Sequence, residues 1–298
     1  VLALLEAAGG TPAVALRAIA LAAITVATGA IVFHWCVVPR TGDDVRSSRD
    51  ALERLATTVG FFSCGVLLLV AFPRLWFQAQ AFADSGVSPL TMIPNVRRTT
   101  WGVGLAVQCV SAAIAFLGFI VGRVRPRVGW WIATLAILGL TVSPAMMGHP
   151  IAAERNVWLN VVADWVHVMS AGGWIGALSL LALASARVSD AVMGELIAAF
   201  HRVALVSVVA LFVSGASSLW LRIAHLAALF GSTYGTIYFV KLACVACVLA
   251  LGAWHSRRGE ASARGGGMIG KTLAVELFFA MITIGVTAVL IGSEPPGV

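Results

Sequence analysis

Metal-capable side chains gather in one stretch of an otherwise apolar chain, Pro144 to Gly176. Met146, Met147 and His149 close one apolar run, and Asp164, His167 and Met169 stand in the first half of the next. Thioether with imidazole is a soft-to-borderline donor set that suits copper, above all the reduced ion. Magnesium or calcium would need more oxygen ligands than this stretch offers. Asp164 and His167 are three apart, so on a helix they share a face. An ionisable group inside a membrane span costs at least ~2.5–3.5 kcal/mol, which asks for a reason. In one reading His167 binds a metal and Asp164 orients it or shares the ion; in the other the pair hydrogen-bonds across helices and only holds them together. Met146 and Met147 are equally readable as packing residues, and His149 as a helix-end cap.

The elements that carry these residues follow from composition. Of the 298 residues 60% are hydrophobic and 11% charged, and the mean hydropathy is +0.95; a soluble domain carries about 25% charged residues. The chain therefore reads as an all-α, polytopic membrane protein in which apolar runs of about 20 residues cross the hydrocarbon as helices. Eight spans are expected in one bundle: Val14–Val38, Leu55–Pro73, Trp101–Val121, Trp130–Gly148, Trp158–Leu183, Phe200–Leu221, Ile237–Trp254 and Thr272–Gly292. No repeat or soluble domain interrupts them, so residues 1–298 are read as a single transmembrane domain. The net charge of +7 reflects loop arginines rather than a nucleic-acid surface. Thirteen of the twenty Lys and Arg residues fall on the side opposite the N-terminus, which makes that side cytoplasmic and both termini periplasmic. The segment from Arg74 to Thr100, with Trp76, Phe77 and Met92, reads as amphipathic, lying at the outer interface or folding over the mouth of the bundle, or as an ordinary loop.

On this topology His149 stands at the outer end of the fourth span. His167 lies nine residues below Trp158, roughly 13 Å at ~1.5 Å per residue. The two share one ion only if the connection dips inward; otherwise they are successive stations. Other candidates stand apart. Cys244 and Cys247 form a C-x-x-C on the seventh span, able to bind cuprous ion as thiolates but read more simply as packing. His34 and Cys36, two apart, do not share a helical face. Gly172, Gly173 and Gly176 allow close helix approach. Lys241 and Glu276 are expected near opposite ends of their spans, able to snorkel rather than pair. No phosphate-binding loop, H-E-x-x-H or G-x-S-x-G pattern occurs, so an enzyme is not expected. The five cysteines all lie in apolar runs, which argues against a disulfide framework.

Ordered motifs resemble one family. They are Thr99 to Gly104; Gly148–His149; Asp164 to Gly176, of the form D-x-x-H-x-x-x-x-x-x-W-x-G; Phe200 to Ala204; Ser214–Gly215; Tyr234 to Leu242; and Val275 to Phe279 with a closing Glu-Pro-Pro. Together they resemble the copper resistance D family of bacterial inner-membrane proteins, most clearly over residues 144–292. The resemblance implies an eight-helix membrane domain tied to copper import or copper loading from the periplasm. Matched residue by residue, it points to His149, Asp164, His167 and Trp174, with Lys241 and Glu276 as framework or transport residues. His255 stands where the family often has Asn. No Met/His-rich outer segment is present, so capture is expected to need a separate periplasmic copper donor protein.

The function expected is a copper-binding permease or facilitator that takes copper from the periplasm toward the cytoplasm, or loads it to a partner. The alternative is a membrane electron-transfer protein holding b-type haem between paired histidines, His149 with His167 or His34 with His255. Expected partners are membrane lipid and the copper donor; nucleic acid is not one.

Overall fold

The computed structural model describes residues 2–41, 48–83, 87–148, 156–222, 226–262 and 269–293. His149 lies outside the described residues, and so does the side chain of His255. The chain is an all-α polytopic membrane protein, with eight described helices long and apolar enough to cross a membrane. In a bilayer every backbone polar group must be satisfied within the protein, and the helix does this within one segment.

A short helix α1 (Leu2–Ala7) leads into α2 (Thr11–Val32). Gly9 and Gly10, at φ of 96° and 88°, make the turn between them. α2 widens into a π-helical turn, Phe33–Val37. Then come α3 (Arg49–Ala81), α4 (Pro89–Arg98), α5 (Thr100–Gly122) and α6 (Pro126–Met147). α7 (Val157–Ala171) passes through a second π-helical turn, Gly172–Gly176, into α8 (Ala177–Ala184). The bundle ends with α9 (Asp190–Arg222), α10 (Thr233–Ser262) and α11 (Ile269–Gly292). Proline opens α2, α4 and α6, at positions whose N–H has no helical partner to lose. Thr99 caps α5 by accepting from the Gly102 N–H at 3.2 Å.

The core is built around α2, which packs on α3, on the Gly172–Gly176 turn, on α8 and on α11. Phe33, Phe119, Trp130, Trp174 and Leu178 are among its buried side chains. α5 packs on both α3 and α6 to form one side, α7 and α9 form another, and α10 packs chiefly on α11. Arg17 of α2 ties the end of α11 by donating to the Ala288 carbonyl at 2.7 Å.

Several boundaries differ from the sequence expectation: α9 begins at Asp190 rather than Phe200, and α10 runs to Ser262 rather than Trp254. α3 does not stop at Pro73 but runs on to Ala81, with the proline inside the helix. Trp76 and Phe77 are therefore helical rather than part of a loop. The segment that turns over this end of the bundle is α4, which packs on α3 and α5 and buries Val96. Gly102 fits tightly below it: a Cβ there would fall 2.2 Å from the Val96 carbonyl oxygen.

Candidate metal site

α7 places its side chains in three directions. Trp165 donates its indole N–H to Thr141 Oγ1 of α6 at 2.9 Å. Gly172 and Gly176 lie against α2, where a Cβ on Gly172 would fall 2.4 Å from Thr28 Cβ. His167, two residues on from Trp165 and so about 200° around the helix, faces α9. Its Nδ1 lies 3.1 Å from Ser214 Oγ, and its ring also lies beside Gly215, whose added Cβ would meet His167 Cε1 at 3.5 Å.

The direction of this hydrogen bond depends on the imidazole tautomer. Ser214 Oγ lies 2.6 Å from the Ala210 carbonyl and 3.2 Å from that of Leu211. A hydroxyl has one proton, and it goes to the helix carbonyls. With that proton on the carbonyls, Ser214 accepts at His167, an arrangement that requires the tautomer with its proton on Nδ1 and the lone pair on Nε2. That is the way a protein orients an imidazole for a metal or another acceptor. Asp164 lies one helical turn toward the N-terminal end of α7 on the same face, partly buried like His167. Ser214 is itself buried. It also borders an open apolar groove of about 640 Å³ between α7 and α9, lined by Val166, Val209 and Val213 among others.

The methionine pair is elsewhere. Met146 and Met147 end α6 and turn toward α5, where a Cβ on Gly104 would fall 2.9 Å from Met146 Cβ and 2.8 Å from Met147 Cγ. The Met147 sulfur accepts from Arg74 Nη2 of α3 at 3.5 Å. The Thr141–Trp165 bond fixes the register of the antiparallel α6 and α7. Met147 lies six residues beyond Thr141 toward one end of the bundle and His167 two residues beyond Trp165 toward the other, an axial offset of roughly 12 Å. Met146 and Met147 thus lie too far along the bundle axis to share an ion with His167.

The remaining candidates also divide. Met169 is partly buried on α7. Trp174 is 5% exposed and belongs to the main core, a packing role. His34 stacks on Trp130 with ring centroids 3.8 Å apart and meets Trp35 edge-on at 4.8 Å, while Cys36 is a partly buried cysteine in no disulfide. Cys247 is exposed on α10, and Cys244 partly buried. Glu276 is 4% exposed and turns toward α10, where a Cβ on Gly252 would lie 3.1 Å from its Oε1. It is buried between α10 and α11, not snorkelling, because Gly252 leaves the room. That register puts Lys241, eleven residues along α10, about 16 Å away from it. Among the described residues no three His, Cys, Asp or Glu side chains converge as a metal cluster.

Two residues went unnoticed in the sequence. Ser214 was visible only as half of a Ser-Gly motif. Arg74 was assigned to a loop, but its guanidinium lies within α3, donating to Gln108 Oε1 at 2.8 Å and standing 5.9 Å from the Trp101 ring. A cuprous ion on the Met147 sulfur would stand roughly 4 Å from that charge, a repulsion on the order of 4 kcal/mol at an effective dielectric near 20.

With the fold and these contacts described, comparison with known proteins places the chain. The family described as "Copper resistance protein D-like, N-terminal domain" matches residues 8–156, and that described as "Copper resistance protein D" matches residues 194–290. This is a multi-pass membrane protein of the copper-handling class; the chain belongs to the copper resistance protein D family. A curated relative, "Copper transport protein CutJ" of Bacillus subtilis (strain 168), is 26% identical over 294 residues, covering 94% of this chain and 52% of its own. The chain thus spans about half the length of that relative. No solved structure matches it.

Proposed function

We propose that this chain conducts copper across the bacterial inner membrane, from the periplasm toward the cytoplasm, with His167 as its station within the bilayer. The observation that carries the reading is the His167–Ser214 contact. A histidine deep in a membrane bundle is held by a hydroxyl that fixes its proton on Nδ1 and presents the Nε2 lone pair. Asp164, one turn outward, supplies negative charge for an incoming cation. Copper is the substrate here and binds deprotonated ligands, so protonation at this pair releases it. The family membership and the name of the curated relative support copper as the ion.

Both termini face the periplasm in this reading, and a periplasmic donor protein delivers copper to the outer ends of α6 and α7. The chain binds and passes the ion without catalysing a reaction on it. The haem alternative draws no support from the relatives. His34, one of its proposed ligands, has its ring face against Trp130.

Copper flux into proteoliposomes of the full chain tests the proposal. Wild-type protein is expected to carry copper inward from the periplasmic face, and His167→Ala to lose that flux while remaining folded. Equal flux in the two proteins would contradict it.

A further inference from the structure

The Arg74 guanidinium sits among donors that would suit a metal ion. It is held by the Gln108 amide oxygen and the Met147 sulfur, with Trp101 beside it. Cys109, next along α5, is within electrostatic range of it. Among the described residues no carboxylate pairs with Arg74, although α3 spans the membrane. Its hold is also incomplete. A thioether is a weak acceptor, and Gln108, 0% exposed, leaves its Nε2 without a hydrogen-bond partner. An arginine kept for stability alone would be expected to find a carboxylate or backbone carbonyls, as Arg17 does on Ala288.

We propose that Arg74 is the gate of an outer soft-metal site between α3, α5 and α6, its guanidinium holding the place that a monovalent soft cation takes on Met147. Guanidinium and cuprous ion carry the same single charge. Exchange of one for the other leaves the charge of the site unchanged, whereas both together would put two cations against one sulfur. Arg74 therefore leaves Met147 when the ion arrives and returns when it passes inward. Gln108 Oε1 is the second acceptor the guanidinium gives up, and the Cys109 thiol is the next residue along α5. The axial offset from His167 makes this a separate station. The inference rests on the copper-conducting reading for its biological ion, but not for its chemistry.

The test is titration of the full-length chain in detergent with Ag(I), and in parallel with Cu(I), against a competing chelator. Arg74→Gln removes the charge and keeps a side chain able to reach Gln108. It is expected to bind one Ag(I) at least about tenfold more tightly than wild type, and Arg74→Gln with Met147→Leu to lose that gain. Arg74→Leu is the second variant. It removes an uncompensated cation from apolar surroundings, a change that is often tolerated or stabilising, and it is expected to show the same Met147-dependent gain. Affinity equal to wild type in both variants, or a gain that survives Met147→Leu, overturns the proposal. Failure of the copper-conducting reading shows instead as copper flux that persists in His167→Ala. That outcome leaves the Ag(I) result readable.

Discussion

Gly29 of α2 and Gly176 of the π-helical turn meet backbone to backbone: a Cβ added to Gly29 would fall 2.1 Å from the Gly176 carbonyl carbon. The same contact seen from Gly176 puts its Cβ 2.1 Å from the Thr25 carbonyl oxygen. Nothing flexible can give way there. The crossing seats α7 against α2 and so sets the side on which His167 faces α9. Gly176→Ala is expected to destabilise by about 1–3 kcal/mol, seen as a lower melting temperature in detergent. Gly194→Ala is the control. Its Cβ meets nothing within 4 Å, and alanine favours the helix by up to about 1 kcal/mol. Equal melting of the two variants would remove the close-approach argument.

Ser214→Ala takes away the acceptor that holds the His167 Nδ1 proton. The imidazole then loses its fixed orientation, and copper affinity is expected to fall about 10–100-fold. Ser214→Thr keeps the hydroxyl and is expected to recover much of it. Competition titration with a copper chelator reads both. Wild-type affinity in Ser214→Ala would mean that the hydroxyl does not orient the ligand.

Trp165→Phe separates wall from site. It deletes the bond to Thr141 and keeps the aromatic bulk. A stability loss of about 0.5–1.5 kcal/mol is expected, with copper stoichiometry unchanged. Loss of copper in this variant would show that the α6–α7 register is part of the site itself.

Arg17→Met cuts the tie from α2 to the Ala288 carbonyl near the C-terminal end of α11. A cation there also meets the negative end of the helix dipole, worth up to about 2 kcal/mol in a partly buried setting. Faster amide hydrogen exchange confined to the last turns of α11 is the expected result. Uniform exchange across the bundle would assign Arg17 to global stability instead.

All eight spans were legible in the sequence because long apolar runs admit only helices in lipid. Their ends were less so. Pro73 reads as a stop but is carried inside α3, where the helix continues through Arg74 and Trp76 to Ala81. The pairing of Asp164 with His167 on one face was also legible, since it depends only on helical spacing. The grouping of these two with Met146 and Met147 was not. The sequence left one shared site and successive stations both open; the methionines turn to Gly104 on α5 while His167 turns to Ser214 on α9. Helix rotation about its own axis decides that, and it is set by tertiary packing. The Arg74–Met147 contact joins residues 73 apart, and no local pattern encodes it. Trp174 matched a motif and lies in the main core.

The most direct measurement is the metal content of the detergent-purified full chain, with its visible absorption spectrum, beside the His167→Ala variant. The account predicts about one copper per chain, no haem band, and loss of that copper in His167→Ala with the fold retained. Stoichiometric copper retained in the variant, or a haem band that disappears with His167, would contradict it.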